Sequence, residues 1–488
     1  MFSSVVEAVF YYSGVAGEKL CLADDNGSLS YSEYKDKICR YAACFAGMGI
    51  KNGVNIIVES NQTVDYLAIE LALHLVGAVF VPVEHNCTKD KIQYFIERTN
   101  AKAVIVNHSD FYGNCQCYTY VMLDEMSSIL EPFSVKSFPE RDDVSEILFS
   151  TGTTGREKGI VLTHKSSIAL AQNVMFGVGM KEDNIEMIPS PMNHSHGLRR
   201  YYANMYNGSS VILLGSVMDL IRFFKNMDNY CVNSLDLVPS ALSVVLKLSK
   251  NKLSEYKKQL RYIQLGSAPL LENDKKMISS LLPDTDLYNF YGSTESGCTC
   301  IYNFNNSSPK PDCIGKPTRN TDIIVVDENR NPIASSKNCM GYLATKGSMN
   351  MLGYWEDEAE TFAVLAENTV YSNDIGYIDD EGDIILIGRK GDVINVGGCK
   401  VSPEEIENAA RMIPGIVDCG CIPLPDKDKG EVPKLFVQMA ENEEFDPIAL
   451  RSFLAKKLEP YKVPKFIEEI EKIPRSFNGK LLRKQLKQ

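Results

Sequence analysis

Residues 147–162, ILFSTGTTGREKGIVL, restrict the fold more than any other stretch. Two apolar runs, Ile147-Leu148-Phe149 and Ile160-Val161-Leu162, enclose a segment made almost wholly of Ser, Thr, Gly and charged residues. The pattern predicts strand, loop, strand. Glycines let the backbone come close to a polyanion, and hydroxyls and a lysine add donors and charge. Ser150, Thr151, Gly152, Thr153, Thr154, Gly155 and Lys158 are therefore candidate phosphate ligands. The loop is not a GxxxxGK[ST] loop, and no GxGxxG follows a strand. Taken alone, it also reads as a polar surface turn.

The flanking chain narrows the choice. Helical spacing over 31–49 precedes an apolar strand pattern at 54–59. Helix 64–76, strand 78–83, helix 88–98 and strand 102–107 follow. Beyond the loop come helix 165–176, strand 185–189, helix 197–207, strand 210–214 and helix 218–228. Such alternation predicts an α/β fold with mostly parallel sheets covered by helices. From about 310 the pattern changes to short strands at 323–326, 341–344 and 383–387, a β-rich subdomain. Residues 388–408, GRKGDVINVGGCKVSPEEIEN, are glycine-rich and then helical, as at a domain boundary. A large domain over 1–388 and a small mobile α+β lid over 389–488 are expected, with the hinge near 389–391.

Composition removes several functions. A length of 488 residues supports more than one core. The net charge of −12 argues against nucleic acid held through phosphate contacts. Fourteen cysteines occur without paired CxxC knuckles, so scattered reduced thiols are expected rather than a zinc site. The apolar stretch 67–83 contains Glu70 and His74 and is interrupted by Gly77 and Pro82, so it reads as a helix and a buried strand, not a membrane insertion. Glu7 and the absence of a basic leader predict no signal peptide and a soluble, cytoplasmic protein.

Five further stretches follow the loop in order: NFYGSTE (289–295), YSNDIG (371–376), Gly388-Arg389, VSPEEIE (401–407) and IPRSFNGKLLR (473–483). With LGSAPL (265–270), PMNHSHG (191–197) and GYLATKGSMNMLGYW (341–355), the chain resembles the adenylate-forming enzymes over nearly its whole length. These are the acyl-CoA synthetases, carrier-loading adenylation domains and luciferases, and the match is most like acid–CoA ligases. The resemblance implies that a carboxylic acid attacks ATP to give an acyl-adenylate and pyrophosphate. A thiol, usually that of coenzyme A, then displaces AMP.

It also implies residue roles. The loop grips the β- and γ-phosphates. Glu295 and Thr151 serve Mg²⁺, a hard ion that prefers oxygen ligands. Tyr291 stacks on adenine, Asn289 reads its amino edge, and Ser267, Ala268 and Pro269 line its other face. Gly292, Ser293 and Thr294 complete the nucleotide site. Asp374 holds the ribose hydroxyls, helped by Arg389. Lys480 is the sharpest catalytic expectation, a point charge on the α-phosphate and the attacking carboxylate. Gly391 is the pivot, and Gly397 and Gly398 line the pantetheine tunnel.

The acid pocket is least legible. By resemblance His194 lies beside the reacting carboxylate, and Gly266, Gly297 and Cys298 border the acid. Arg199 and Arg200 admit two readings: a pocket arginine that binds a second acceptor on the acid, or surface arginines on a helix. Two departures stand out. Glu157 replaces a proline usual before the loop lysine, and Tyr342 replaces Glu in a GEL tripeptide. Two other functions fit the same motifs less well: a ligase that loads a phosphopantetheinyl carrier protein or an amine, and a non-catalytic nucleotide-binding regulator.

Overall fold

A computed structural model describes residues 2–151, 157–268, 270, 272–306, 310, 312–441, 443–475 and 481–486. Gly152, Thr153, Thr154, Gly155, Pro269, Lys480 and the side chain of Thr151 lie outside this description.

The expected alternation produces the expected sheet. Asn55–Glu59 runs parallel to Val79–Val83 on one side and to Ala103–Val106 on the other. All three strands are buried throughout, as parallel strands covered on both faces must be. Val144–Thr151 extends this sheet next to Val79–Val83 and returns antiparallel as Glu157–Thr163, in register Ser150 to Lys158. The phosphate-loop candidate thus connects two adjacent antiparallel strands. Seven strands form this sheet among the described residues.

A second sheet of fourteen strands changes character along its width. Leu20–Asp24, Ser210–Leu213, Ile185–Ile188, Ser234–Leu237, Tyr262–Leu265 and Asp286–Ser293 are parallel neighbours in that order. From Asp286–Ser293 outward the pairings are antiparallel, through Gly297–Asn303 to the hairpins of the β-rich region. In open α/β sheets, ligands gather at the carboxyl ends of the parallel strands. Here those ends lead into Pro239, Gly266-Ser267 and Tyr291.

Helices fill the space between the two sheets. Tyr31–Gly47 starts with a capping box: Ser30 Oγ accepts from Glu33 N at 3.3 Å, and Ser30 N donates to Glu33 Oε2 at 2.7 Å. Val64–Leu75 begins at Thr63, and all its residues except Asp65 are buried. Its apolar character on every face thus marks a central helix. No helix among the described residues is long and apolar enough to cross a membrane. Residues of both sheets and of the intervening helices, among them Phe80, Leu148, Leu67, Leu198 and Leu213, share one core.

A third sheet, of five strands, contains Ile394–Val396, Cys399–Val401, Ile416–Asp426, Gly430–Met439 and Phe466–Glu469. It carries helices Pro403–Ala410 and Pro447–Leu454. Its core, from Ile394 to Ile467, is built only from this part of the chain. All fourteen cysteines are free thiols, as their spacing suggested.

The main core buries a polar knot. The Tyr202 hydroxyl touches Glu70 and lies 2.6 Å from Glu146 Oε2, while Ser167 Oγ donates to Glu146 Oε1 at 3.3 Å. A phenol has one proton to donate, so one of these contacts needs a protonated carboxyl. Accordingly, burial pushes Glu146 up to about 7 and Glu70 well above the carboxylate range. The folded state keeps the Glu146 proton up to about pH 7, whereas the unfolded chain loses it near 4.5. Folding therefore binds a proton in that window, and stability falls as pH rises through it. The substitution Glu146→Gln keeps the shape without the titration. We expect its thermal midpoint to gain on the native protein steadily from pH 5 to pH 8, measured by calorimetry at each pH. A pH-independent difference would remove the protonated-carboxyl account.

Candidate functional site

Asp374 sits in the strand Thr369–Ile378, opposite Arg389 in the pairing with Ile384–Arg389. Only 8% exposed, it needs partners for both oxygens. Arg389 Nε donates to Oδ1 at 3.0 Å, and the Tyr291 hydroxyl donates to Oδ2. The Asp374 backbone N–H binds Ser372 Oγ at 3.0 Å. Burial first, and then Asp374, push the Tyr291 phenol well above its usual range, so it remains a donor. The Asp374 charge likewise raises Arg389 above its ordinary value.

Tyr291 owes its place to a bulge. In the pairing of Asp286–Ser293 with Gly297–Asn303, the register shifts between Tyr291 and Gly292. A Cβ on Gly292 would lie 1.8 Å from the Gly297 carbonyl oxygen, so only glycine allows the two strands this approach. Ser267 takes a left-handed conformation, φ 69°, uncommon outside glycine and a mark of strain at functional sites.

Asp374, Arg389, Tyr291, Asn289, Gly292, Ser267 and Ala268 line a cavity of about 520 Å³. The nucleotide-site candidates from four separate motifs are thereby brought together. Glu404, Glu407, Arg411 and Arg483, carried by the five-stranded module and its helices, close the cavity from the other side. Arg475 and Leu481 belong to the same lining and pair as a bridge across residues 476–480. Arg483 Nη2 donates to Glu407 Oε1 at 2.7 Å, and Arg475 Nε to Asp418 Oδ2 at 2.6 Å. These cavity arginines are not among the sequence candidates, although Arg475 and Arg483 fall within the stretch 473–483.

Other candidates lie around this centre. Ser293 Oγ accepts from the Ser296 backbone N–H at 3.2 Å and shapes the turn that holds Thr294 and Glu295. The half-buried Glu295 accepts from the Tyr354 hydroxyl at 2.9 Å. Lys158 pairs with Glu360 and lies 5.0 Å over the Tyr354 ring. Glu157 lies 3.2 Å from Lys91, so the residue that replaces proline has its own counter-ion. No cluster of three His, Cys, Asp or Glu side chains that could hold a metal occurs among the described residues. A magnesium ion at Glu295 would complete its shell with phosphate and water oxygens, which suits that ion.

Gly391 is exposed, with φ 86° and open space about it. Gly397 and Gly398 occupy the exposed turn between Ile394–Val396 and Cys399–Val401, away from the cavity lining. Gly297 faces Leu170 and Met349, and Cys298 is buried. His194 is exposed at the N-terminus of helix Ser195–Asn207.

The surface reading of Arg199 and Arg200 fails. Arg199 is 6% and Arg200 0% exposed, because the helix Ser195–Asn207 runs through the core instead of over it. Arg200 Nε donates to Asp236 Oδ1 at 3.1 Å, and its guanidinium lies 3.9 Å from the centre of the Phe290 ring. His196, which the sequence reading passed over in favour of His194, is buried here. Its Nδ1 is 2.5 Å from Arg199 Nη2, and its Nε2 is 2.9 Å from Asp236 Oδ1. The three-residue step from His196 to Arg199, one helical turn, was the available signal.

Residues 13–355 match the AMP-binding enzyme family, and residues 405–480 match the AMP-binding enzyme C-terminal domain. The chain is 25% identical over 486 residues to the peroxisomal OPC-8:0-CoA ligase 1 of Arabidopsis thaliana, covering 95% of this chain and 89% of that protein. It is 24% identical over 482 residues to the 2-succinylbenzoate–CoA ligase of Bacillus cereus, covering 96% and 95%. In fold it resembles the crystal structure of ATP-bound MatB from Rhodopseudomonas palustris, with TM-score 0.89 and 23% identity, covering 100% of this chain and 98% of that one. The first match includes Asn289 and Tyr291 on one side of the cavity and the second includes Glu407 and Arg411 on the other, and the chain belongs to the AMP-binding enzyme family.

Proposed function

We propose that this protein is an ATP-dependent, AMP-forming acid–CoA ligase. The observation that carries the reading is the Asp374 cavity, with the Tyr291 and Arg389 contacts in its wall and the flanks of Lys480 opposite. The names of the relatives, CoA ligases in both cases, support the same reaction.

In the first half-reaction a carboxylate oxygen of the acid attacks the α-phosphorus of ATP. The bond to pyrophosphate breaks and an acyl-adenylate remains. In the second, the CoA sulfur attacks the acyl carbonyl, the thiol proton is lost and AMP leaves. Tyr291 offers a flat face to adenine and Asn289 an amide to its edge. Asp374 receives the ribose hydroxyls, which take over hydrogen bonds now supplied from within the protein. Ser150 to Gly155 and Lys158 hold the outer phosphates, with Lys158 exchanging Glu360 for phosphate. Glu295 and Thr151 would hold magnesium, which would supply charge neutralisation at the phosphates. Lys480 stabilises the charge that develops on the α-phosphate.

The separate core of the five-stranded module supports a division into domains 1–388 and 389–488 that turn about Gly391. Rotation removes Lys480 after adenylation and brings Gly397 and Gly398 to the pantetheine path. Their exposure in the present arrangement fits the first half-reaction.

Pyrophosphate release across a panel of carboxylic acids, with and without CoA, tests the function. Release that needs an acid, followed by thioester formation with CoA, is the expected outcome. Release without a CoA thioester would point instead to a carrier protein or an amine as acceptor, and no release with any acid to a nucleotide-binding regulator. For Lys480→Ala we expect adenylation to fall by about 10²- to 10³-fold, with thioester formation from supplied acyl-adenylate retained. Equal loss in both half-reactions would remove Lys480 from this role. For Asp374→Ala we expect kcat/KM for ATP to fall by roughly 10- to 100-fold, the range of hydrogen bonds to a charged group. An unchanged kcat/KM for ATP would exclude the ribose contact.

A further inference from the structure

Arg199 is buried, and among the described residues no carboxylate pairs with it. Asp236, 0% exposed, is the carboxylate at the centre of the surrounding cluster. Burial alone would raise its pKa, but the neighbouring His196, the Arg200 guanidinium and the Ser190 hydroxyl at 2.7 Å lower it below the usual carboxylate range, so it is an anion. That one negative charge is matched by Arg200. The nearby carboxyl of Glu186 accepts from Asn204 at 2.6 Å and Gln264 at 3.1 Å, and burial holds it at about 7.

Arg199 has no such partner. A guanidinium only donates, so the lone pair of His196 Nδ1 must accept from Arg199 Nη2. The imidazole proton is then left on Nε2, facing Asp236, and the ring is neutral. Burial lowers the His196 pKa in agreement with this. Burial and the Arg200 charge also lower Arg199, to about 10, which leaves it a cation at neutral pH. Arg199 Nε, both terminal nitrogens of Arg200 and His196 Nε2, for all its 2.9 Å approach to Asp236, have no well-aligned hydrogen-bond partner among the described residues. A buried, unmatched guanidinium is costly to fold and is seldom kept without a ligand to meet it.

The place of the orphan group indicates the ligand. A Cβ on Gly266 would lie 3.5 Å from Arg199 Nη2, 3.1 Å from His196 Cε1 and 3.4 Å from Phe290 Cβ. Phe290 and the next residue, Ser267, line the Asp374 cavity. Arg199 therefore stands directly behind the cavity wall, at the point where Gly266 leaves out a side chain. If Gly266 borders the acid, as the resemblance implies, an acid whose carboxylate faces the α-phosphate would present its far end to this wall.

We propose that Arg199 determines acid specificity, and that the acid carries a second anionic group, a distal carboxylate, which Arg199 binds. This rests on the acid–CoA ligase reading. His196 and Asp236 act as positioning residues that aim the guanidinium.

The test compares α,ω-dicarboxylic acids of increasing length, aliphatic and aromatic, with their mono-methyl esters. The esters keep the size and the reacting carboxylate but lose the distal charge. Pyrophosphate release by the full-length enzyme with ATP and magnesium is the readout. For the best diacid, kcat/KM should exceed that of its half-ester by about 10²-fold or more, the discrimination of a site built around a buried polar group. In Arg199→Met the ratio should collapse to within a few-fold, mainly through loss of diacid use, while the thermal midpoint holds or rises. Arg199→Lys should restore part of the preference. Half-esters or simple monoacids used as well as diacids by the native enzyme would overturn the inference and leave the ligase reading intact. So would an Arg199→Met variant with a lowered midpoint and an unchanged ratio, the signature of a structural arginine. No pyrophosphate release with any acid would overturn the ligase reading, and this inference with it.

Discussion

The Asp374 carboxylate ties the molecule together. Its two oxygens join the last parallel strand of the large sheet, through Tyr291, to Arg389, the last residue of the strand that precedes the five-stranded module. A carboxylate this deeply buried is tolerable only when both oxygens are matched. That requirement fixes how the β-rich region sits on the parallel sheet. It also places a polar clamp in the wall of a cavity otherwise shaped by backbone turns at Ser267 and Gly292.

Arg389 gives the clamp an open side. Its side chain is half exposed, although its partner is not. Two residues later the chain passes through Gly391 with a positive φ and no neighbour to obstruct a side chain, then enters a module with its own core. In the proposed two-domain motion, a segment anchored by the Asp374–Arg389 pair just before a glycine would confine the torsional change to few residues.

The parts of this design legible in the sequence are those set by local chemistry. The alternation of periods located the central strands and helices to within a few residues, as with Asn55–Glu59 and Val64–Leu75, because each element buries an unbroken apolar face. The motif residues Asn289, Tyr291, Asp374 and Arg389 converge on one cavity because turn and strand geometry is encoded beside them. The helix Ser195–Asn207 was illegible for the opposite reason. Its sequence, SHGLRRYYANMYN, is polar enough for a surface, and its burial comes from two sheets assembled far away in the chain. The counter-ion Asp236 was hidden in an apolar strand, Ser234–Leu237, thirty-six residues from Arg200. The closing wall of Glu404, Arg411 and Arg483 likewise depends on how one module sits on the other, which no local pattern records.

Buried charge elsewhere in the fold shows what a purely structural solution looks like. Glu59 accepts backbone N–H groups from Asn86 and Asn107 at 2.8 Å, one on each oxygen. Glu407 accepts from Arg483 and from the Cys421 backbone. Glu70 and Glu146 escape their cost by holding on to protons. In each case the chain itself removes the penalty, by pairing or by neutralisation. Neither route is open to Arg199: guanidinium does not shed its proton near neutral pH, and its nearest partner is an uncharged ring. A large apolar side chain would fill the same space without the desolvation cost. The sequence keeps arginine beside Gly266, next to the cavity-lining Ser267 and Phe290, which is where the proposed distal carboxylate would meet it.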